Sequence, residues 1–150
     1  MIPVQEIIYQ YLSGVSSDYD LGGDWPAYVG YFPDNASDTN SVAVLDRTGI
    51  NLVRCLDNTV VDQYGVQILV RAPNVEVSGV ITLGSKIAGT KAFEIKLGLD
   101  AINRLPVTVD GTIYEITSVR TLGPPEGFGI TDDADRWTYS LNMLVHTHAQ

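Results

Sequence analysis

Within the first dozen residues, apolar side chains fall at Val4, Ile7, Ile8, Tyr11 and Leu12. That i, i+3, i+4, i+7, i+8 spacing is the single stripe of an amphipathic helix. Pro3 suits its first turn and Gly14 its end. From Ser16 to Asn40 the periodicity is lost in a stretch rich in Asp, Gly, Ser, Asn and Pro, with one apolar island, WPAYVGYF. It reads as an irregular loop about residues 14–41, and long loops in compact domains tend to be functional or mobile.

Period-2 alternation then takes over. SVAVLD alternates, a Thr-Gly pair predicts a turn, and INLVRCL runs on. GVQILVRA places Val66, Ile68 and Val70 on one strand face, and Pro73-Asn74 breaks it. VEVSGVITL is rich in β-branched residues and reads as strand, with a helix starting near Glu76 as the alternative. In SKIAGTKAFEIKLGLDAINRL, Ile87, Ala88, Ala92, Ile95, Leu99 and Ile102 form a helical stripe with Ser85 as its N-cap. VTVDGTIYEI carries Asp110-Gly111 between two alternating runs, the signature of a type I′ hairpin. GPPEGFGITDDAD reads as a loop, and WTYSLNMLVH as a last strand. Its apolar positions are Trp137, Tyr139, Leu141, Met143 and Val145, while Thr138, Ser140, Asn142 and His146 look outward. The sum is an α+β domain over residues 1–150, a mainly antiparallel sheet with two helices packed on one face.

Composition narrows the partners. The chain has 150 residues, 45% of them hydrophobic, which is enough for a core without disulfide staples. The formal net charge is −9 and only nine residues are basic, so tight binding to nucleic-acid phosphates by this chain alone is not expected. No apolar run is long enough to span a membrane, and the N-terminus lacks a basic signal-peptide start, so a soluble protein, cytoplasmic at synthesis, is expected.

Each candidate for chemistry has a plainer reading. Cys55 is the single cysteine, lies in an alternating run, and has no histidine near it in sequence. Gly79 to Lys86 is a near miss for a phosphate loop, with serine and lysine in reversed order. His146 and His148 share a strand face, but a third metal ligand has no obvious source. Asp34 to Asn40 offers oxygen ligands without the glycine and distal glutamate of a calcium loop. Asp132, Asp133 and Asp135 crowd the start of the last strand, where Arg136 follows. Paired carboxylates can act as acid and base only if their environments separate their pKa values. In a Gly/Pro-rich loop water keeps all three ionised, which leaves either an ion pair with Arg136 or an assembly contact in which Asp and Arg set register. No catalytic, cofactor or metal residues are assigned.

Taken in order, Gly30 and Pro33, the strand from Ser41 to Asp46 with Gly49, Gln67 to Arg71, and Asp133 with Arg136 to Val145 resemble the tail terminator (minor capsid, tail completion) proteins of long-tailed bacteriophages. The likeness runs from about Tyr9 to Val145. Two departures are an insertion about residues 74–84 and Asp135 where the family often has glycine. The resemblance implies a virion protein, not an enzyme and without cofactors. It forms a ring, typically sixfold, at the head-proximal end of the tail tube, ending tube growth and presenting the head-tail joining surface at the neck. Its partners would be further copies of itself, the tube protein and a head-completion or neck protein, with DNA passing through unbound. Candidate assembly residues are Asp46, Arg47, Arg71, Asp133, Asp135 and Arg136. Alternatives are a head-completion or neck connector, a small hydrolase using the aspartate cluster, or a β-rich ligand-binding module presenting Trp25, Tyr28, Tyr31 and Phe32.

Overall fold

The computed structural model describes residues 2–14, 25–31, 40–54, 60–130 and 136–150. In chain order the elements are α1 (Val4–Ser13), β1 (Ala27–Val29), β2 (Ser41–Arg54), β3 (Val60–Ala72), β4 (Val75–Val77), β5 (Val80–Thr82), α2 (Gly84–Asp100), β6 (Asn103–Val109), β7 (Thr112–Thr121), β8 (Glu126–Ile130) and β9 (Trp137–Ala149). Among the described residues, seven strands share one sheet in the order β1-β2-β3-β9-β7-β6, with β8 also paired to β9. Strands β4 and β5 pair only with each other.

The sheet is mixed. Strand β1 runs parallel to β2, whereas the sequence pattern leads one to expect a mainly antiparallel sheet. The chain leaves β1 at Gly30 and returns at Ser41, a connection long enough to reverse direction and lay the two strands parallel. The remaining strand pairs are antiparallel. Part of the expected 14–41 loop is therefore sheet, and Trp25 just ahead of β1 is buried.

One face of the sheet carries the core. Val42, Val44, Val66, Ile68, Val70, Ile116, Leu141, Met143 and Val145 point into a single cluster with Ile7, Ile8 and Leu12 of α1 and Ala88, Ala92, Ile95 and Leu99 of α2. Helix α2 lies over the middle strands β3, β9 and β7. Helix α1 packs against β1 and β2 and also against β6, at opposite ends of the strand order. A flat sheet cannot offer both ends to one short helix, so the sheet curls around the helices. The Tyr11 hydroxyl of α1 donates to the Gly98 carbonyl of α2 at 3.2 Å, tying the two helices together.

Local chemistry differs from expectation at three points, while the strand reading of segment 75–82 holds. Thr48-Gly49 makes no turn: β2 continues through a bulge between Asp46 and Ile50. Gly65 faces that bulge, where a Cβ would stand 2.8 Å from the Arg47 carbonyl oxygen. The ambiguous segment 75–82 is a hairpin, its turn built from Ser78 (φ 52°) and Gly79 (φ 80°). Helix α2 begins before Ser85: Leu83 is its N-cap, and the Gly84 N–H donates to Asn74 Oδ1 at 2.8 Å. The stretch expected as a loop after β7 contains β8, whose pairing with β9 a sequence rich in glycine conceals. The Asp110-Gly111 hairpin forms as expected, with φ of 48° and 79°.

Gly84 seats α2 on the sheet. A Cβ there would lie 2.2 Å from the Ala72 carbonyl oxygen and 2.8 Å from Trp137 Cδ1. Gly84→Ala is expected to cost about 3 kcal/mol, because backbone rather than a flexible side chain must move. An unchanged urea midpoint would refute this.

The far end of α2 is fixed by Asp100. Its carboxylate accepts from Lys96 Nζ at 2.6 Å and from the Thr121 hydroxyl at 2.8 and 3.0 Å. Burial pushes the Asp100 carboxyl up, but the hydrogen bonds from Lys96 and Thr121 and the Lys96 charge together outweigh it and hold it below the usual aspartate range. A depressed carboxylate adds stability above its unfolded pKa, about 4, and loses it as pH falls through the folded value. Asp100→Asn should therefore weaken the fold near neutral pH, with the gap to wild type closing below about pH 4. Urea midpoints at several pH values test this, and a gap constant with pH would disprove it.

Candidate assembly surface

The candidate residues from the sequence separate into two groups. Asp46 and Arg47 are exposed at the β2 bulge. Arg71 is buried at the end of β3, in register with Ser41 of β2 and Thr138 of β9. Arg136, immediately before β9, is 1% exposed and among the largest fully buried side chains. Both arginines are engaged by contacts within the chain. Five strand residues separate Asp46 from Ser41, about 16 Å along β2, so the bulge pair stands well apart from the buried pair. Asp132, Asp133 and Asp135 lie outside the described residues, as do Cys55, Phe32 and most of the Asp34 to Asn40 stretch.

The other motifs fall into structural roles. Gly79 to Lys86 is a hairpin turn, strand β5 and the first turn of α2. The His146 ring nitrogen Nε2 lies 2.6 Å from Gln63 Nε2, and His148 Nδ1 is 3.5 Å from the Thr117 hydroxyl. Among the described residues no three His, Cys, Asp or Glu side chains gather to hold a metal. Trp25, which the ligand-module alternative alone would place on an exposed platform, is 7% exposed, with Lys91 Nζ 5.2 Å from its ring centre. Among the described residues of that group, Tyr31 is the strongly exposed one, its ring 6.4 Å from Tyr28. Among the described residues no helix is long and apolar enough to cross a membrane.

Two apolar surfaces escape the sequence reading. The first is the β4–β5 hairpin, which leaves the fold between Asn74 and Gly84. The hydrogen bond between those two residues closes its stem. Val75, Val77, Val80, Ile81 and, at its foot, Leu83 are all exposed. The cross-strand register places Val75, Val77, Val80 and Thr82 on one face of this arm. The second surface is an open groove of ≈ 640 Å³ along the outer side of α2, lined by Lys86, Gly89, Phe93, Leu97 and, at its floor, Tyr139. A Cβ on Gly89 would come 3.2 Å from the Tyr139 ring, so glycine here lets the ring approach the helix. The signal for the groove was present: Gly89, Phe93 and Leu97 repeat at i, i+4, i+8 beside the core stripe.

Exposed apolar surfaces on an otherwise closed core are the kind that partner molecules cover. The family model for bacteriophage tail terminator proteins matches residues 16–148, and the chain belongs to that family, as a structural protein of the phage tail and hence of the virion. No curated protein matches the sequence. Among solved structures, the chain is similar to one from the virion of a native gene transfer agent particle. The TM-score is 0.59 at 11% identity, over 98% of this chain and 95% of that one. At that identity the likeness speaks for the fold.

The two arginine settings make opposite demands. Arg136→Ala would strip a buried charged donor from its contacts and is expected to cost about 3 kcal/mol. Arg47→Ala at the exposed bulge should stay within about 0.5 kcal/mol. Urea unfolding with unchanged slopes would measure both, and equal losses would contradict this division.

Proposed function

We propose that this protein closes into a ring, sixfold as its family resemblance implies, on the head-proximal end of the tail tube. There it ends tube polymerisation and presents the joining surface for the neck. Membership of the tail terminator family over residues 16–148 is the observation that carries this reading. A head-to-tail contact that closes on itself uses up its own adhesive surfaces, so a ring can end a stack where an open contact would extend it. A net charge of −9 fits a conduit that DNA traverses without sticking. Asp46 and Arg47 are placed to touch a neighbour directly. Arg71 and Arg136 would act from within, by holding the ends of β3 and β9. Asp133 and Asp135, just upstream of Arg136, complete the proposed assembly set. The role is structural, without a catalytic step.

The nearest second reading is a head-completion or neck connector, which would also contact a ring and the neck. Electron microscopy of particles made without this chain separates the two. Tubes of uncontrolled length and unjoined heads are expected. Tails of normal length that merely fail to join heads would favour the connector, and normal joined particles would overturn both.

A further inference from the structure

We propose that the β4–β5 arm of one subunit docks into the α2 groove of the next copy of this chain, and that this arm-in-groove contact links the ring. The inference rests on the ring reading above and adds the surfaces that make the contact.

The arm is built to project. Its strands pair only with each other, the Asn74 to Gly84 hydrogen bond closes its stem, and Ser78-Gly79 sets a tight turn at its tip. A two-stranded hairpin standing alone is marginal in water, more so when its face is apolar. Val77, Val80 and Ile81 are 66%, 68% and 61% exposed, so their own subunit does not cover them. The groove is apolar in the same way, with Phe93 49% and Leu97 69% exposed. Each surface needs what the other offers.

Reach decides against a contact within one chain. Leu83 alone joins Thr82 to α2, so the arm starts at the first turn of the helix. Three strand residues span about 10 Å. Phe93 and Leu97 lie nine and thirteen residues beyond Gly84, about 14 and 20 Å along the helix. Folded back on its own helix, the arm would cover only the near end and miss the two most apolar positions. A neighbour's arm, arriving from outside, has no such limit.

Charge points the same way. Glu76 is the arm's one charged residue. At the groove, Glu94 is already paired with Lys91 at 3.3 Å, while no acid among the described residues pairs with Lys86 on the rim. In a chain of net charge −9, two copies repel unless they meet where the signs match. An arm that enters the groove edge-on sets Glu76, on the face opposite Val80, against Lys86 on the rim while Val80 reaches Phe93. Each subunit carries one arm and one groove, so the contact is head-to-tail and can close a ring with none left over.

Cysteine pairs test the contact. In a Cys55→Ser background, Val80→Cys and Phe93→Cys in the same chain should give, on oxidation in assembled tails, a covalent ladder ending at the full ring. Either substitution alone should give monomers. Val77→Asp with Val80→Asp changes only exposed positions, so its urea midpoint should match wild type while the number of tail ends carrying a ring falls at least tenfold. Rings that form as well with the two aspartates, or Val80→Cys joining to the tube protein in place of its own chain, would overturn the arm-in-groove contact. The tail terminator reading would survive either result, because wild-type rings would still occupy tube ends. That reading fails separately, if the wild-type chain is absent from tail ends.

Discussion

Strand β9 must be hydrogen-bonded along both edges at once, and most of the fold follows from that requirement. One edge is taken by β3 from Gln63 to Ala72. No single strand covers the other. Strand β7 pairs with β9 from Tyr114 to Thr121, and β8 takes over from Glu126 to Ile130. The break falls at Gly123-Pro124-Pro125, where two prolines lack the N–H that pairing needs. A strand held on both sides has no solvent edge, and its two faces both close. Leu141, Met143 and Val145 enter the core, with Thr147 buried on the same face, while Thr138 and Ser140 are buried on the opposite face. Those hydroxyls find partners: Ser140 Oγ accepts from Gln67 Nε2 at 2.9 Å, and Thr147 Oγ1 donates to the Glu115 carbonyl at 2.9 Å. Thr138 and Ser140 are thus buried where the sequence pattern has them looking outward.

The same strand sets where the assembly surfaces stand. Tyr139 on its core-facing side meets Gly89 of α2 and Gly127 of β8, so one ring joins helix, central strand and edge segment. Trp137 at its start packs over Gly84, where the arm rejoins the fold. Arm and groove are thus mounted on the two ends of one rigid contact between α2 and β9.

Legibility from sequence tracked how far each element's stability is local. Helix α1 and the Asp110-Gly111 hairpin could be read because their signals are contained in a few residues: a single apolar stripe, and a turn pair suited to positive φ. Strand β8 could not, since EGFGI has little strand propensity and forms because β9 offers an open edge. The Thr48-Gly49 turn gives way to a bulge for a similar reason: Gly65, on another strand, leaves room for it. The Ser85 cap gives way to a tertiary partner, Asn74, ten residues upstream. At the candidate site, the residue types were visible and their settings were not. Nothing in DRWTY distinguishes a buried Arg136 from a surface one, because burial depends on what packs above it. The arm and groove are not legible because nothing in the pattern says which apolar positions the folded subunit leaves uncovered.

On the ring reading, a self-associating subunit must avoid associating too early, and the arm's dimensions answer that problem. Its strands are three residues each, too short to offer an extended edge for non-specific pairing. Its apolar area is small, so a single docked arm makes a weak contact, and a charge of −9 on each copy opposes chance meetings. On the arm-in-groove reading, two free subunits gain one such contact, whereas a closed ring gains one for every member. A tube end that holds several copies side by side raises their effective concentration and makes the successive contacts intramolecular. Weakness of each joint then becomes the control. On that reading, rings form where a template gathers the subunits and are disfavoured in dilute solution.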